Sequence, residues 1–274
     1  MRIAYMAGTV LPSRAAAAVN VLKMCRSFAA AGHDVTLYAR GRQTDAPAVF
    51  AELGLERRFD LVLRDPPAAE PGPCPPPSLW PGRRGAPQLG HVGHFFSGKG
   101  MEVAAALAAL LPECDVHAVG GTERDLALWR GRCAGQANLH LHGFVAHGSV
   151  HAWLVRFDLL LAPPAPRVSS AAGREIGRWM SPLKVFEYMA AGKPILASDI
   201  PALREILRDG DTALLLPPGE PQAWADAARA LLREPGRAAA LAARARTALL
   251  AEYTWDVRAA RILAHLPQRG GAAA

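Results

Sequence analysis

The sequence contains no apolar run of about eighteen or more residues, although 51% of its 274 residues are hydrophobic. A helix needs about 20 such residues to cross a bilayer, so no transmembrane helix is expected. Residues 1–14 read as a strand and a polar turn, and they lack the long apolar centre of a secretory signal peptide. These absences favour a cytoplasmic protein.

Cysteine is scarce, and no metal site is predicted. Cys25, Cys74, Cys114 and Cys133 are scattered without metal-ligand spacing, which is typical of reduced thiols in the cytoplasm. Four histidines fall within 140–151, but they are spread over a predicted strand, turn and helix with no set of acidic partners. We therefore expect neither a bound metal nor a cofactor.

Lysine is rare beside arginine, although the net charge is +7. The chain has only Lys23, Lys99, Lys184 and Lys193. Enrichment in Ala, Arg, Gly and Pro is typical of a GC-rich genome and accounts for the basic pI; attraction to phosphates or to an anionic membrane surface is a second interpretation. The arginines do not cluster with aromatic residues, so nucleic-acid binding is not expected.

Residues 181–205 are the most informative stretch of the chain. Ser181 is a good N-cap, and Pro182 suits the first helical position. Apolar residues then recur at helical spacing until Gly192, after which 195–197 form a short apolar run typical of a buried parallel strand. This order predicts a helix, a tight turn, a strand and the start of another helix.

Lys184 and Glu187 project from the same side of that helix, close to its N-terminus. The free N–H groups there attract anions, and a lysine adds to this attraction. A carboxylate one turn later can accept two hydrogen bonds from a vicinal diol such as a ribose. The spacing fits a nucleotide site, but on spacing alone an exposed helical ion pair of about a few tenths of a kcal/mol is the favoured interpretation.

The run EYMAAGKPILASDIPALREIL, residues 187–207, resembles the donor-binding segment of the retaining glycosyltransferases of family 4. The opening SPLK resembles one bacterial branch of that family. The resemblance implies that Glu187 holds the nucleotide ribose, that Pro182 and Leu183 line the nucleotide site, and that Lys184 stabilises the donor diphosphate.

The run HVGHFFSGKG, residues 91–100, follows a predicted strand, 89–93, and precedes a helix, 101–111. A strand, a glycine-bearing loop and a helix N-terminus form a phosphate cradle, with Lys99 reaching inward from beside Gly98. The run resembles the family loop in which a basic pair contacts the diphosphate. His94 stands where many members have arginine.

Small residues end two further strands. Gly120 and Gly121 follow the predicted strand 116–119, where they would let a ligand approach the backbone. Gly143 and Phe144 follow the predicted strand 138–142, and with Val145 they resemble the family segment that lies against the nucleotide base. We count all four as candidate nucleotide contacts.

The N-terminal 40 residues predict a strand, a helix and a second strand, without the glycine-rich dinucleotide fingerprint. They resemble the start of the same glycosyltransferase branch, in which the loop holding Ser13 and Arg14 faces the acceptor and the donor phosphates. An equally weighted alternative is that these two residues cap the helix and lie in solvent.

Strands alternating with helices predict parallel α/β sheets with ligands at their carboxyl edge, and the resemblance implies a GT-B fold. The predicted organisation is a truncated Rossmann-like N-terminal acceptor-side domain (1–66), a proline-rich linker (67–87), a donor-nucleotide domain (88–252), a helix returning to the N-terminal domain (253–266) and a disordered tail (267–274). A first domain of about 65 residues lies at the lower range for a folded domain and is shorter than the family norm.

Two departures from the family bear on activity. No histidine matches the one expected in the missing part of the first domain. The first of the family's two glutamates, eight residues before Glu187, is Trp179 here, although the SPLK branch commonly lacks it.

The resemblance implies a retaining glycosyltransferase that moves a sugar from a nucleoside diphosphate sugar to an unidentified saccharide, lipid or small-molecule acceptor. The general base is unassigned, and the location is the cytoplasm, with the inner membrane face as a second interpretation. The alternative is a nucleotide-binding remnant that regulates a partner enzyme. A sugar-nucleotide epimerase is a third reading, but no residues match its catalytic acids.

Overall fold

The computed structural model describes residues 1–11, 16–40, 46–52, 59–64, 82–145, 149–167 and 183–265. These residues belong to two compact units, one formed by 1–72 with 250–274 and the other by 73–249. The predicted positions Ser13, Arg14, Trp179 and Pro182 lie outside the described residues, as do the tail and most of the proline-rich linker.

The first unit is a parallel three-stranded sheet with helices. Its strands are β1 (Arg2–Val10), β2 (Asp34–Arg40) and β3 (Asp60–Arg64), in the order β1-β2-β3, and its helices are α1 (Ala16–Ala30), α2 (Ala46–Glu52) and α10 (Trp255–Ala264). Val35, Leu37 and Ala39 are alternate residues of β2, and all three point into a core that they share with α1. Helix α10 packs against α1 through the buried Ala259, after Thr254 caps its N-terminus.

The second unit is built around a parallel sheet of six strands in the order β6-β5-β4-β7-β8-β9. The strands are β4 (Gln88–Val92), β5 (Asp115–Val119), β6 (Leu139–Leu141), β7 (Leu159–Ala162), β8 (Ile195–Ser198) and β9 (Leu214–Leu216). β5, β7 and β8 are buried along their whole length, as expected for strands covered on both faces.

Helices cover both faces of this sheet. They are α3 (Met101–Leu110), α4 (Glu123–Arg132), α5 (Val150–Leu154), α6 (Leu183–Ala191), α7 (Pro201–Arg204), α8 (Pro221–Arg233) and α9 (Pro235–Ala248). Thr122 opens α4 with a capping box, because its hydroxyl accepts the Asp125 N–H while the Asp125 carboxylate accepts the Thr122 N–H. The alternation of helix and parallel strand predicted from the sequence is confirmed.

Two local features differ from the sequence-based expectation. The last helix, predicted over 253–266, spans Trp255–Ala264 and follows a π-helical segment, Leu249–Tyr253. Residues 82–87, predicted as the end of the linker, are fixed to the second unit: the Arg83 side chain donates to the buried Asp115 carboxylate at 3.0 Å and to the Cys114 carbonyl at 2.8 Å. A guanidinium holding a buried carboxylate satisfies a charge that could not stay buried alone.

None of the helices in the described part of the chain combines the length and the apolar character that a membrane span requires.

Candidate nucleotide site

The order of the six strands places a topological switch between β4 and β7. From β4 the chain builds outward through β5 and β6 on one side, then returns to build β7, β8 and β9 on the other. Ligands of open parallel sheets bind at such a point, beyond the carboxyl ends of the strands, because the connecting loops diverge there and leave a crevice. The loop after β4 and the start of α6 both belong to this end of the sheet.

A tyrosine on α6 fills the split between the two central strands. Paired residues of β4 and β7 run only as far as Gly90 and Leu160. Beyond them the fully buried Tyr188 hydroxyl accepts the Val92 N–H at 2.8 Å and lies 3.3 Å from the carbonyl oxygens of Val92 and Leu161. Burial raises the pKa of Tyr188, so its hydroxyl stays protonated and can donate.

Sequence reasoning did not single out Tyr188. The available signal was a tyrosine on the apolar face of a helix, because a buried phenol needs a hydrogen-bond partner. Its partners Val92 and Leu161 lie 96 and 27 residues away in the chain, and no local pattern identifies them.

Lys184 lies one helical turn before Tyr188 and therefore on the same face of α6. Its Nζ atom is buried and has no hydrogen-bond partner among the described residues. Nζ lies 3.3 Å from the point that a β-carbon on Gly93 would occupy, just beyond the end of β4. Burial, and then the charge of Lys99, lower the Lys184 pKa to about 7, while Glu187 acts in the opposite direction.

Lys99, His94 and Lys184 form one cluster of basic side chains. Burial lowers the Lys99 pKa, and Lys99 in turn is the main charge acting on Lys184. Burial first, and then Lys99 and Lys184, lower the His94 pKa, with Asp125 opposing them. The structure therefore brings together the two predicted lysines and the predicted histidine, and it favours a neutral imidazole at His94.

Glu187 is half-buried on α6, and its charge acts on Lys184 by raising the pKa of that lysine. Leu183, the first residue of α6, is also half-buried. The predicted Lys184–Glu187 pair thus belongs to the end of the sheet where the strands diverge, and not to a solvent-exposed helical face.

The loop after β4 is held against the residues that follow β7. The carbonyl of the buried Gly98 accepts the Ala165 N–H at 2.9 Å. Gly100 begins α3 with φ 111°, and a β-carbon there would overlap Pro163. These contacts fix the course of the loop that presents Lys99 at the N-terminal end of α3.

Glycines after β4, β5 and β6 allow the three strand ends to touch. The Gly120 N–H donates to the Gly143 carbonyl at 2.6 Å, and a β-carbon on Gly120, which has φ 130°, would overlap the Gly93 carbonyl oxygen. A β-carbon on Gly121 would overlap the Phe95 ring. Protein atoms therefore occupy the β-carbon positions of both glycines, and the role of Gly120 and Gly121 as nucleotide contacts stays a prediction. Phe144, after Gly143, is half-buried.

A histidine cluster, defined as the buried His117 and the half-buried His140 and His142, lies on the opposite face of the sheet from His91. Alternation along the strands places it there, because His91 pairs with Ala118 and not with His117. His117 Nδ1 lies 2.9 Å from His142 Nε2, and His117 Nε2 lies 2.5 Å from Gln88 Oε1. The centroid of the His117 ring lies 4.7 Å from that of His140 and 5.2 Å from that of His142. No group of three or more acidic, histidine or cysteine side chains suited to a metal occurs among the described residues.

Comparison with known proteins agrees with the architecture. Residues 86–234 match the model of the family described as glycosyl transferases group 1. The chain is 31% identical over 170 residues to a phosphatidyl-myo-inositol mannosyltransferase of Mycolicibacterium smegmatis, covering 60% of this chain and 40% of that relative. The chain spans 40% or less of the length of the curated relatives it matches.

Solved structures share the fold at low identity. Anabaena HepE in complex with UDP superposes with a TM-score of 0.54 at 16% identity, covering 91% of this chain and 76% of that one. Sucrose-phosphate synthase from Thermosynechococcus elongatus gives 0.56 at 18% identity, covering 95% and 66%. The parallel α/β fold is that of GT-B glycosyltransferases, and the match over more than half of the chain shows that it belongs to the group 1 glycosyl transferase family.

Proposed function

We propose that this protein binds a nucleoside diphosphate sugar beyond the ends of β4 and β7 and transfers the sugar to an acceptor with retention of configuration. The observation that carries the proposal is the buried Lys184 ammonium, which has no hydrogen-bond partner among the described residues. Burying an unpaired charge is costly and a second lysine nearby adds repulsion, so an anion bound between the two lysines would stabilise the charged form of both. Family membership and the UDP complex of the structurally similar HepE support a nucleotide as that anion.

Each residue has a chemical role in this proposal. When the bond between the anomeric carbon and the diphosphate oxygen breaks, negative charge grows on the leaving diphosphate, and Lys99 and Lys184 stabilise it. Glu187 accepts hydrogen bonds from the ribose hydroxyls. The acceptor oxygen bonds to the anomeric carbon on the face that the diphosphate leaves, and its proton goes to a base that we leave unassigned. Two ammonium groups and a helix terminus supply the positive charge, so the proposal requires no metal ion.

The acceptor is a saccharide, a lipid or a small molecule, and we place the reaction in the cytoplasm. Peripheral association with a membrane surface belongs to the same proposal, since the chain carries a net charge of +7 and anionic lipids attract basic proteins.

Calorimetry with a panel of nucleoside diphosphates tests the binding step. We expect Lys184→Met and Glu187→Gln each to weaken binding by about tenfold or more, because each removes a hydrogen bond that involves a charged group. Lys193→Met is the matched control: it removes a lysine beyond the other end of α6 and should bind as the wild type does. Equal affinity in all four proteins would refute the assignment.

Turnover separates a transferase from a binding remnant. Release of nucleoside diphosphate in the presence of acceptors, with NMR of the product anomer showing the same configuration as the donor, is the expected result. Tight binding without release across a broad acceptor panel would instead support the remnant that regulates a partner enzyme.

A further inference from the structure

His91 is a second buried polar side chain at the switch point, beside Lys184. It is fully buried in β4, next to Val92 and Gly93, and its Nδ1 lies 3.2 Å from the Leu161 carbonyl oxygen. A carbonyl only accepts, so Nδ1 carries the hydrogen and Nε2 of the neutral ring is a bare acceptor. That buried Nε2 has no partner among the described residues.

His91 Nε2 is a hydrogen-bond acceptor and Lys184 Nζ is a donor, and neither has a partner among the described residues. Lys184 Nζ, a buried donor, lies beside Gly93, two residues after His91. The two side chains act on each other electrostatically: burial and then the charge of Lys184 lower the His91 pKa to about 3. His91 is therefore neutral at physiological pH and keeps its lone pair.

From this juxtaposition we propose that His91 is a positioning residue for the donor diphosphate, accepting a hydrogen bond from the Lys184 ammonium through Nε2. This inference rests on the proposed function of the same site. A phosphate oxygen is itself an acceptor, so His91 in this tautomer cannot bind it and must act through the lysine. Neither atom has a hydrogen-bond partner among the described residues, so the bond passes through one water molecule, and it aims the remaining ammonium N–H groups at the anion.

The charged and titratable groups around Lys184 come from four elements. They are Glu187 and Tyr188 on α6, His91 on β4, His94 and Lys99 in the loop after β4, and Asp125 on α4, which acts on His94. The charges that act on the Lys184 pKa are those of Lys99 and Glu187. A test of His91 must hold the other groups constant.

Two substitutions distinguish the roles of the two ring nitrogens of His91. Asparagine places an amide N–H near the position of Nδ1, so His91→Asn can keep the bond to Leu161 while removing the acceptor at Nε2. Glutamine places its amide near Nε2, so His91→Gln keeps an acceptor there and loses the Leu161 bond. His117→Asn is the matched control, because it makes the same change in a buried histidine on the opposite face of the sheet.

The first measurement needs no ligand. With lysine at only four positions, ¹³Cε-lysine NMR can follow Lys184 through a pH titration, with Lys184→Met identifying its signal. We expect the Lys184 pKa to fall in His91→Asn, because the charged form loses an acceptor, and to stay near the wild-type value in His91→Gln and His117→Asn. An unchanged pKa in His91→Asn, or an equal fall in His117→Asn, would overturn the proposal.

The second measurement is calorimetry with inorganic pyrophosphate. We expect His91→Asn to bind about tenfold more weakly than the wild type, with affinity recovered in His91→Gln. Equal loss in both His91 variants would reduce His91 to a packing role and overturn the inference. Equal pyrophosphate affinity in the wild type and in Lys184→Met would overturn the proposed diphosphate site itself. The lysine titration tests the His91–Lys184 contact independently of that result.

Discussion

The Tyr188 hydroxyl accepts a 2.8 Å hydrogen bond from the backbone N–H of Val92, where β4 parts from β7. This contact ties α6 to the centre of the sheet and holds Lys184, one turn earlier, over Gly93. We therefore expect this contact to help position the Lys184 side chain.

Tyr188→Phe tests that contact. The substitution leaves the Val92 N–H buried without a partner, so we expect the free energy of unfolding to fall by about 1–3 kcal/mol and nucleoside diphosphate affinity to fall with it. Urea unfolding and calorimetry measure the two effects. Tyr38→Phe is the control, because Tyr38 is exposed in the first unit. Unchanged stability in Tyr188→Phe would contradict the reading of this contact.

Lys184→Met should stabilise the protein without ligand while weakening nucleotide binding. The Lys184 pKa is about 7 in the folded protein against an ordinary 10.5, so the unfolded chain binds more protons between these values. Stability of the wild type therefore rises with pH across that window. We expect the variant to be about 1–3 kcal/mol more stable below pH 7, with the gain shrinking toward pH 10.

Thermal unfolding of the wild type and of Lys184→Met from pH 6 to pH 10 measures that difference. Lys193→Met again serves as control. A gain that is constant with pH would show that packing, and not the buried charge, separates the two proteins.

The histidine cluster should make the second unit sensitive to acid. Burial, reinforced by His140, lowers the pKa of His117 to about 3 and that of His142 to about 4, from an ordinary 6.5. Between these values the unfolded chain binds more protons, so stability is lost as the pH falls from 6.5 toward 4, by an amount on the order of 2 kcal/mol for each group.

His142→Phe should flatten that pH dependence, since it removes one ionisation and keeps an aromatic ring against Trp153, which lies 4.7 Å from the present imidazole. The measurement is the slope of unfolding free energy against pH from 4 to 7. His151→Phe, at an exposed position on α5, should keep the wild-type slope. The same slope in His142→Phe as in the wild type would contradict the assignment.

Gly120→Ala should destabilise the second unit by about 2 kcal/mol or more, because the new β-carbon would overlap the Gly93 carbonyl at a positive φ. Nucleotide binding should weaken too, since Gly93 faces Lys184. Gly131→Ala on α4 is the opposite case: nothing lies within 4 Å of its β-carbon, and we expect stabilisation of up to about 1 kcal/mol. Thermal unfolding of both variants provides the check.

The sequence by itself determined the alternation of parallel strands and helices, because apolar periodicity and glycine or proline boundaries act over a few residues. It also located the loop of Lys99 and the helix of Lys184 and Glu187, since each follows from local spacing. Tertiary structure alone decided that Lys184 Nζ is buried with no hydrogen-bond partner among the described residues, that Tyr188 and His91 both contact the Leu161 carbonyl, and that the glycines allow the strand ends to touch. These properties join residues up to 96 positions apart, and periodicity predicts which face of an element is apolar but not which distant atom that face will meet.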